Sequence, residues 1–255
     1  MADERPVRVH LVPNLAAPGT LVGGVAVVID VLRATTTIVH ALAAGCAAVI
    51  PCAEVDEAKK TAAALRPGKV ILGGERGGKL IPGFDLGNSP REYTAKACKK
   101  ATVVLTTTNG TRAILRAAEA ERVLIGAFVN YSAVCELLRT DARPVHIVCA
   151  GCDGAPALED TLLAGALVDF LCEAQEVTLN DSARLAWDAF ENHGRVLRGA
   201  LEVGTHGAHL IELGYDADIR AAADVDRFYL VPELRRDPLR IERAAAGIVQ
   251  SHWPR

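Results

Sequence analysis

Four short stretches of this chain concentrate the side chains that could do chemistry. The first is Asp30-Val31-Leu32-Arg33-Ala34-Thr35-Thr36-Thr37. Asp30 closes an apolar run, where a carboxylate is costly unless it is paired or holds a metal. Arg33 presents a fork of donors that suits phosphate, sulfonate or carboxylate. Thr35 and Thr36 fall where a helix should begin, and hydroxyls with free backbone N–H groups there can hold an anion. The plainer reading makes Asp30 a turn residue and Thr35 a helix cap.

The second stretch, Gly73-Gly74-Glu75-Arg76-Gly77-Gly78-Lys79, leads into Pro82-Gly83-Phe84-Asp85-Leu86-Gly87-Asn88-Ser89-Pro90. Its glycines allow close approach of backbone to a ligand. Glu75 is a second carboxylate after a strand, with Arg76 and Lys79 as nearby cations. So long a loop without a regular pattern tends to be functional, and here the expected role is lining a phosphate. The third stretch, Thr106-Thr107-Thr108-Asn109-Gly110-Thr111-Arg112, follows a strand and opens a helix, which is the setting of an anion cradle. The fourth runs from Gly151-Cys152-Asp153-Gly154 to Glu159-Asp160. Its acids either cap a helix or offer hard oxygen ligands to Mg²⁺.

Other chemistries lack their residues. There is no GK[ST] phosphate loop, and no G-x-G-x-x-G follows a strand. No cysteine precedes an arginine at the spacing of cysteine-nucleophile phosphatases. Asp216-Ala217-Asp218 resembles a paired-aspartate nucleophile, but no buried strand leads into it, so it is set aside. His206 and His209 sit three apart on an expected helix and read as solvent-facing. The seven cysteines are odd in number and scattered, as expected of reduced thiols in a cytoplasmic protein. Cys149 and Cys152 have no second pair with which to form a zinc site.

The elements that must carry these loops follow from patterning. Val25–Asp30, Val70–Leu72, Thr102–Thr106, Val123–Gly126 and Val145–Ala150 are nearly continuous apolar runs, each followed by a polar loop and then a helical pattern. That alternation predicts an α/β fold with a mostly parallel or mixed sheet and flanking helices. A shared offset sets Asp30 against Thr106, Thr35 against Thr111 and Ile38 against Ile114, which suggests two related βαβ halves around one pocket. Asp181–Glu191, Gly194–Val203 and His206–Leu213 read as helices, with Gly214 as a stop. Leu239–His252 reads as a final helix. The expected organisation is one unit over 1–255, with lobes at about 1–125 and 126–255 as the alternative. The net charge of −3 and the lack of a long apolar run point to neither a nucleic-acid nor a membrane partner. A homodimer rests on base rates alone.

Taken in order, Val-Ile-Asp-Val-Leu-Arg-Ala-Thr-Thr (28–36), Gly-Gly-Glu-Arg (73–76), Gly-Phe-Asp-Leu-Gly-Asn-Ser-Pro (83–90) and Thr-Thr-Asn-Gly-Thr-Arg-Ala (107–113) resemble the 2-phosphosulfolactate phosphatase (ComB) family. Glu159-Asp160 and Val231-Pro232 fall in the same order, so the likeness spans about Val25 to Pro232. The resemblance implies Mg²⁺-dependent hydrolysis of (R)-2-phospho-3-sulfolactate to 3-sulfolactate and phosphate, a small anionic phosphate ester. Under that reading Asp30, Glu75 and Asp160 hold Mg²⁺, and Asp30, Arg33 and Glu75 are catalytic. Thr35, Thr36, Arg76, Lys79, Asn109, Gly110, Thr111 and Arg112 bind substrate. The alternatives are a phosphatase or phosphotransferase for another 2-hydroxy-acid phosphate, and a non-catalytic binder of anionic metabolites.

Overall fold

A computed structural model describes residues 4–65, 67–244 and 252–253. Among these residues, eleven strands form one mixed sheet: β1 (Arg5–His10), β2 (Val25–Ile29), β3 (Ala48–Pro51), β4 (Val70–Arg76), β5 (Lys79–Leu80), β6 (Thr102–Thr106), β7 (Arg122–Gly126), β8 (Val145–Cys149), β9 (Val177–Leu179), β10 (Pro232–Arg236) and β11 (Leu239–Arg243). Their spatial order is β5-β4-β6-β3-β11-β10-β7-β2-β8-β1-β9. Neighbours are parallel within β4-β6-β3 and within β7-β2-β8-β1-β9. The β10–β11 hairpin lies between these groups, antiparallel to both.

Sequence dictates the central strands directly. Every residue of Val25-Ala26-Val27-Val28-Ile29 is buried, as β-branched runs are when helices cover both faces. Val25, Val27 and Ile29 enter one apolar cluster, while Ala26 and Val28 enter the other. The helices are α1 (Ala34–Ala43), α2 (Val55–Ala64), α3 (Ala95–Cys98), α4 (Gly110–Ala117), α5 (Tyr131–Thr140), α6 (Leu158–Ala174), α7 (Asp181–His193), α8 (Leu197–Val203), α9 (Thr205–Glu212) and α10 (Asp216–Ala222). Helix α6 is apolar around its circumference and correspondingly buried. Gly214 ends α9 with φ +83°, and Tyr215 N donates to Leu210 O at 2.8 Å, which satisfies a terminal carbonyl.

The α/β expectation holds, with a mixed sheet. The β2-α1-β3 and β6-α4-β7 units interlock: β3 pairs with β6, and β7 pairs with β2. The C-terminal helical reading fails in part. Leu239–Arg243 is a strand, because Leu239 and Ile241 alternate with polar residues beyond the Asp237-Pro238 turn. The stretch 245–251 of that expected helix lies outside the described residues. Strand β1, which opens with charged and proline residues, and the short edge strand β9 carry too little pattern to stand out. Among the described residues, no helix is long and apolar enough to cross a membrane.

Candidate active site

The loops after β2, β6 and β8 and the end of β4 meet at one small cleft, open to solvent on one side. Asp30, Arg33, Glu75, Gly78, Asn88, Thr108, Asn109, Cys152 and Asp153 line it, and His206 and His209 reach it from α9.

Threonines build two of these loops. Thr35 Oγ1 donates to Asp30 O at 2.8 Å and accepts from Asp30 N at 3.0 Å. Thr111 Oγ1 likewise donates to Thr107 O at 2.9 Å and accepts from Thr107 N at 3.2 Å. Thr36 Oγ1 donates to Val31 O at 2.8 Å. A threonine hydroxyl bonding back to a preceding carbonyl shapes the chain locally. These hydroxyls therefore serve the backbone, and Thr35, Thr36 and Thr111 do not line the cleft. The loops meet at Gly110, where a Cβ would stand 2.4 Å from both Ala34 Cβ and Asp30 Oδ2. A side chain there would force α1 and α4 apart.

Asp30 is buried, and its Oδ1 accepts from Ala34 N at 3.1 Å. Burial pushes its carboxyl up to about 6; Glu75 and Glu159 add to this, while His206 and the Ala34 N–H oppose it. Glu75 joins two loops. Its Oε2 accepts from Gly78 N at 2.8 Å, and its Oε1 from Thr108 N at 2.8 Å. Asp160 stands behind the cleft wall. Its oxygens accept from Val31 N at 2.8 Å and Gly151 N at 3.0 Å, tying the loops after β2 and β8 together. Burial, then Asp30 and Glu159, raise its carboxyl well above the ordinary range.

Arg33, 3% exposed, is held on three sides. Nη1 donates to Asp218 Oδ2 at 2.8 Å, Nη2 donates to Gly78 O at 2.8 Å, and the guanidinium lies 4.3 Å from the Tyr215 ring centroid. Asp218 also accepts from Ser89 Oγ at 2.6 Å. The other expected cations lie elsewhere. Arg76 donates to the backbone oxygens of Glu75 and Ala53 and to Thr106 Oγ1, so it shapes the loop. Lys79 is exposed on β5, and Arg112 pairs with Glu54 at 3.2 Å on the surface.

Several residues of the site escape a reading by motif. Asp218 belongs to the pair of aspartates set aside above, and it serves here as the partner of Arg33. His206 does not face solvent: its Nδ1 lies 3.3 Å from Glu159 Oε1. Burial alone would lower this imidazole, but the bond and charge of Glu159, with Asp30, raise it. The Cys152 thiol is pushed up to about 11 by burial and then by Asp153, Glu159 and Asp30, so it is no nucleophile near neutral pH.

Among the described residues, three buried oxygens at or beside the cleft have no protein partner: Asn88 Oδ1, Thr108 Oγ1 and Glu159 Oε2. Buried polar atoms are normally satisfied, so orphans gathered here indicate a ligand. Among the described residues no three His, Cys, Asp or Glu side chains converge as a metal cage. Mg²⁺ seldom needs one, since it commonly takes one or two carboxylates and keeps water and phosphate oxygens as further ligands. Asp30 and Glu75, with the Asn88 and Thr108 oxygens nearby, fit that demand.

The profile of the 2-phosphosulpholactate phosphatase family matches residues 11–237. The chain belongs to this family. Similar relatives include proteins of Symbiobacterium thermophilum, 41% identical over 86% of this chain and 94% of its own, and Thermotoga petrophila, 43% identical over 82% and 88%. A Deinococcus radiodurans protein is 40% identical over 89% of this chain and 92% of its own. Each bears the name probable 2-phosphosulfolactate phosphatase. The family resemblance read from the ordered motifs therefore holds.

Proposed function

We propose that this chain is a phosphoric monoester hydrolase that converts 2-phospho-3-sulfolactate to 3-sulfolactate and phosphate, with Mg²⁺ and in the cytoplasm. Family membership supports the substrate class. The observation that carries the chemistry is the meeting of Asp30, Glu75 and Arg33 around orphaned oxygens in one cleft.

Asp30 and Glu75 would hold Mg²⁺, and Asp160 would hold the loop that presents Asp30. The bound ion would supply positive charge to the phosphoryl oxygens as negative charge shifts in the transition state. Arg33, fixed by Asp218, Gly78 O and Tyr215, binds the anionic ester without having to reorganise. Asn109 lines the cleft where α4 begins, beside the loop that carries Thr108.

The test is phosphate release from 2-phosphosulfolactate with Mg²⁺ and again with EDTA, beside phospholactate and phosphoglycolate. Metal-dependent release that favours the sulfonate ester is expected, with most of it lost in Asp30→Asn. Full turnover by Asp30→Asn would overturn the role given to that carboxylate. No release from any 2-phospho acid would overturn the activity.

A further inference from the structure

Helix α9 brings a second kind of chemistry to the cleft. His206 lies on its first turn with a side chain only 19% exposed, and its Nδ1 is 3.3 Å from Glu159 Oε1. Glu159 is itself 1% exposed, sits in the first turn of α6, and leaves Oε2 without a partner among the described residues. A buried carboxylate on Nδ1 fixes both the tautomer and the ring plane of an imidazole. The ring edge bearing Nε2 is then the one left for the cleft, which His206 lines together with Asp30 and Asn88. The charged groups facing this imidazole are Glu159, Asp30 and Arg33; burial and the guanidinium oppose its protonated form, and with Asp30 on the cation the buried Glu159 in contact with Nδ1 is the acid that favours it.

An alkyl phosphate needs such a group. Its leaving oxygen departs as a strongly basic alkoxide, and a positioned acid accelerates that departure by roughly 10²–10⁴-fold. Neither Asp30 nor Glu75 is free for this if both hold the cation, and Arg33 does not give up a proton. Cys152 and His209 also line the wall, but no buried carboxylate orients either: His209 is half-exposed and its acidic neighbour, Glu212, is on the surface.

We propose that His206, oriented by Glu159, is the general acid that protonates the leaving oxygen of the ester. As the bond from water oxygen to phosphorus forms, the bridging P–O bond breaks and its electron pair stays on the departing oxygen. That oxygen takes the proton from Nε2, and the N–H pair returns to the ring. Water gives hydroxyl to the phosphoryl group, and its other proton, through solvent, reloads His206. Glu159 is a positioning residue. The inference rests on the phosphatase reading above.

The experiment compares wild type, His206→Gln and Glu159→Gln on 2-phosphosulfolactate with Mg²⁺. Binding of the phosphonate in which a methylene replaces the bridging oxygen is measured by calorimetry. The expected result is a kcat loss of about 10²-fold or more in His206→Gln with analogue affinity within about threefold. A smaller loss is expected in Glu159→Gln. The decisive readout is the bridging-¹⁸O isotope effect on kcat/KM, which rises in both variants when the oxygen leaves unprotonated. A purely structural role would weaken analogue binding and leave that isotope effect at the wild-type value, which would overturn the inference. So would wild-type turnover in His206→Gln, with the phosphatase reading intact. An inactive wild type overturns both.

Discussion

Replacing Asp218 tests the architecture of the site most sharply. The Arg33–Asp218 pair is 2% exposed on both sides with a 2.8 Å contact. Truncating one partner of such a pair leaves an uncompensated buried charge, at about 3–5 kcal/mol. Ser89 Oγ loses its acceptor in the same step, which adds about 1 kcal/mol. Against a total stability of about 5–15 kcal/mol this is a large fraction. With a urea m-value of about 3 kcal/mol/M, the unfolding midpoint of Asp218→Ala should fall by about 1 M or more. The variant should also lose most phosphatase activity, because Arg33 is no longer fixed. Arg33→Met combined with Asp218→Leu should recover at least about 1 kcal/mol over Asp218→Ala, since no charge is stranded, yet remain inactive. Equilibrium urea unfolding followed by circular dichroism, with phosphate release on the same samples, reads both. A midpoint within about 0.2 M of wild type for Asp218→Ala would refute the reasoning, because the charge of Arg33 would then have found water or another partner.

Gly110→Ala should lower both Tm and activity, because its Cβ would collide with Ala34 Cβ and Asp30 Oδ2 where α1 meets α4; differential scanning fluorimetry and phosphate release check it. Arg112→Ala and Lys79→Ala should keep kcat/KM within about twofold and stability within about 0.5 kcal/mol, as exposed side chains that do not line the cleft. A tenfold loss in steady-state kinetics would return those cations to the site. His10 Nε2 lies 3.3 Å from His146 Nδ1, and both rings are buried. Burial and the neighbouring ring lower His146 to about 4, and burial lowers His10. The unfolded chain therefore binds these protons first, so stability present above about pH 6.5 should drain away as pH falls towards 4. His146→Gln should flatten that limb of the urea-midpoint profile.

The legible part of this fold was the part written in unbroken apolar runs. β2, β6, β7 and β8 announce themselves because helices cover both faces, and the loops after them hold Asp30, Asn109 and Asp153. The helical reading of β11 comes from Ile241, Ala244, Ala245 and Ile248, which recur at helical spacing in the sequence and mask the short alternation of Leu239 and Ile241. At the site, residue type told which side chains were chemical but not where they point. Arg33 and Arg112 look equivalent in sequence, each a few residues past a strand. One is buried by Asp218, far along the chain, and the other is left on the surface with Glu54. His206 looked ordinary because the residue that defines it, Glu159, lies on a different helix. Contacts of that range have no local signature. The threonine repeat was visible, and its meaning is structural: Thr35 and Thr111 each bond back to the loop before their helix, to Asp30 and Thr107, five and four residues earlier.

The position of the β10–β11 hairpin has a consequence for biosynthesis. The strands it joins, β3 and β7, leave the ribosome long before Pro232. Until then each presents an open sheet edge, the kind of surface that recruits other chains. Pairing Ile241 with Val49 closes a loop of most of the chain, and such closures are slow. A nascent chain thus carries Asp30, Glu75 and His206 well before it can lock the two parallel groups into one sheet. Shortening it by its last two strands would leave every cleft residue in place in the sequence, but would produce a protein inclined to associate through β3 and β7.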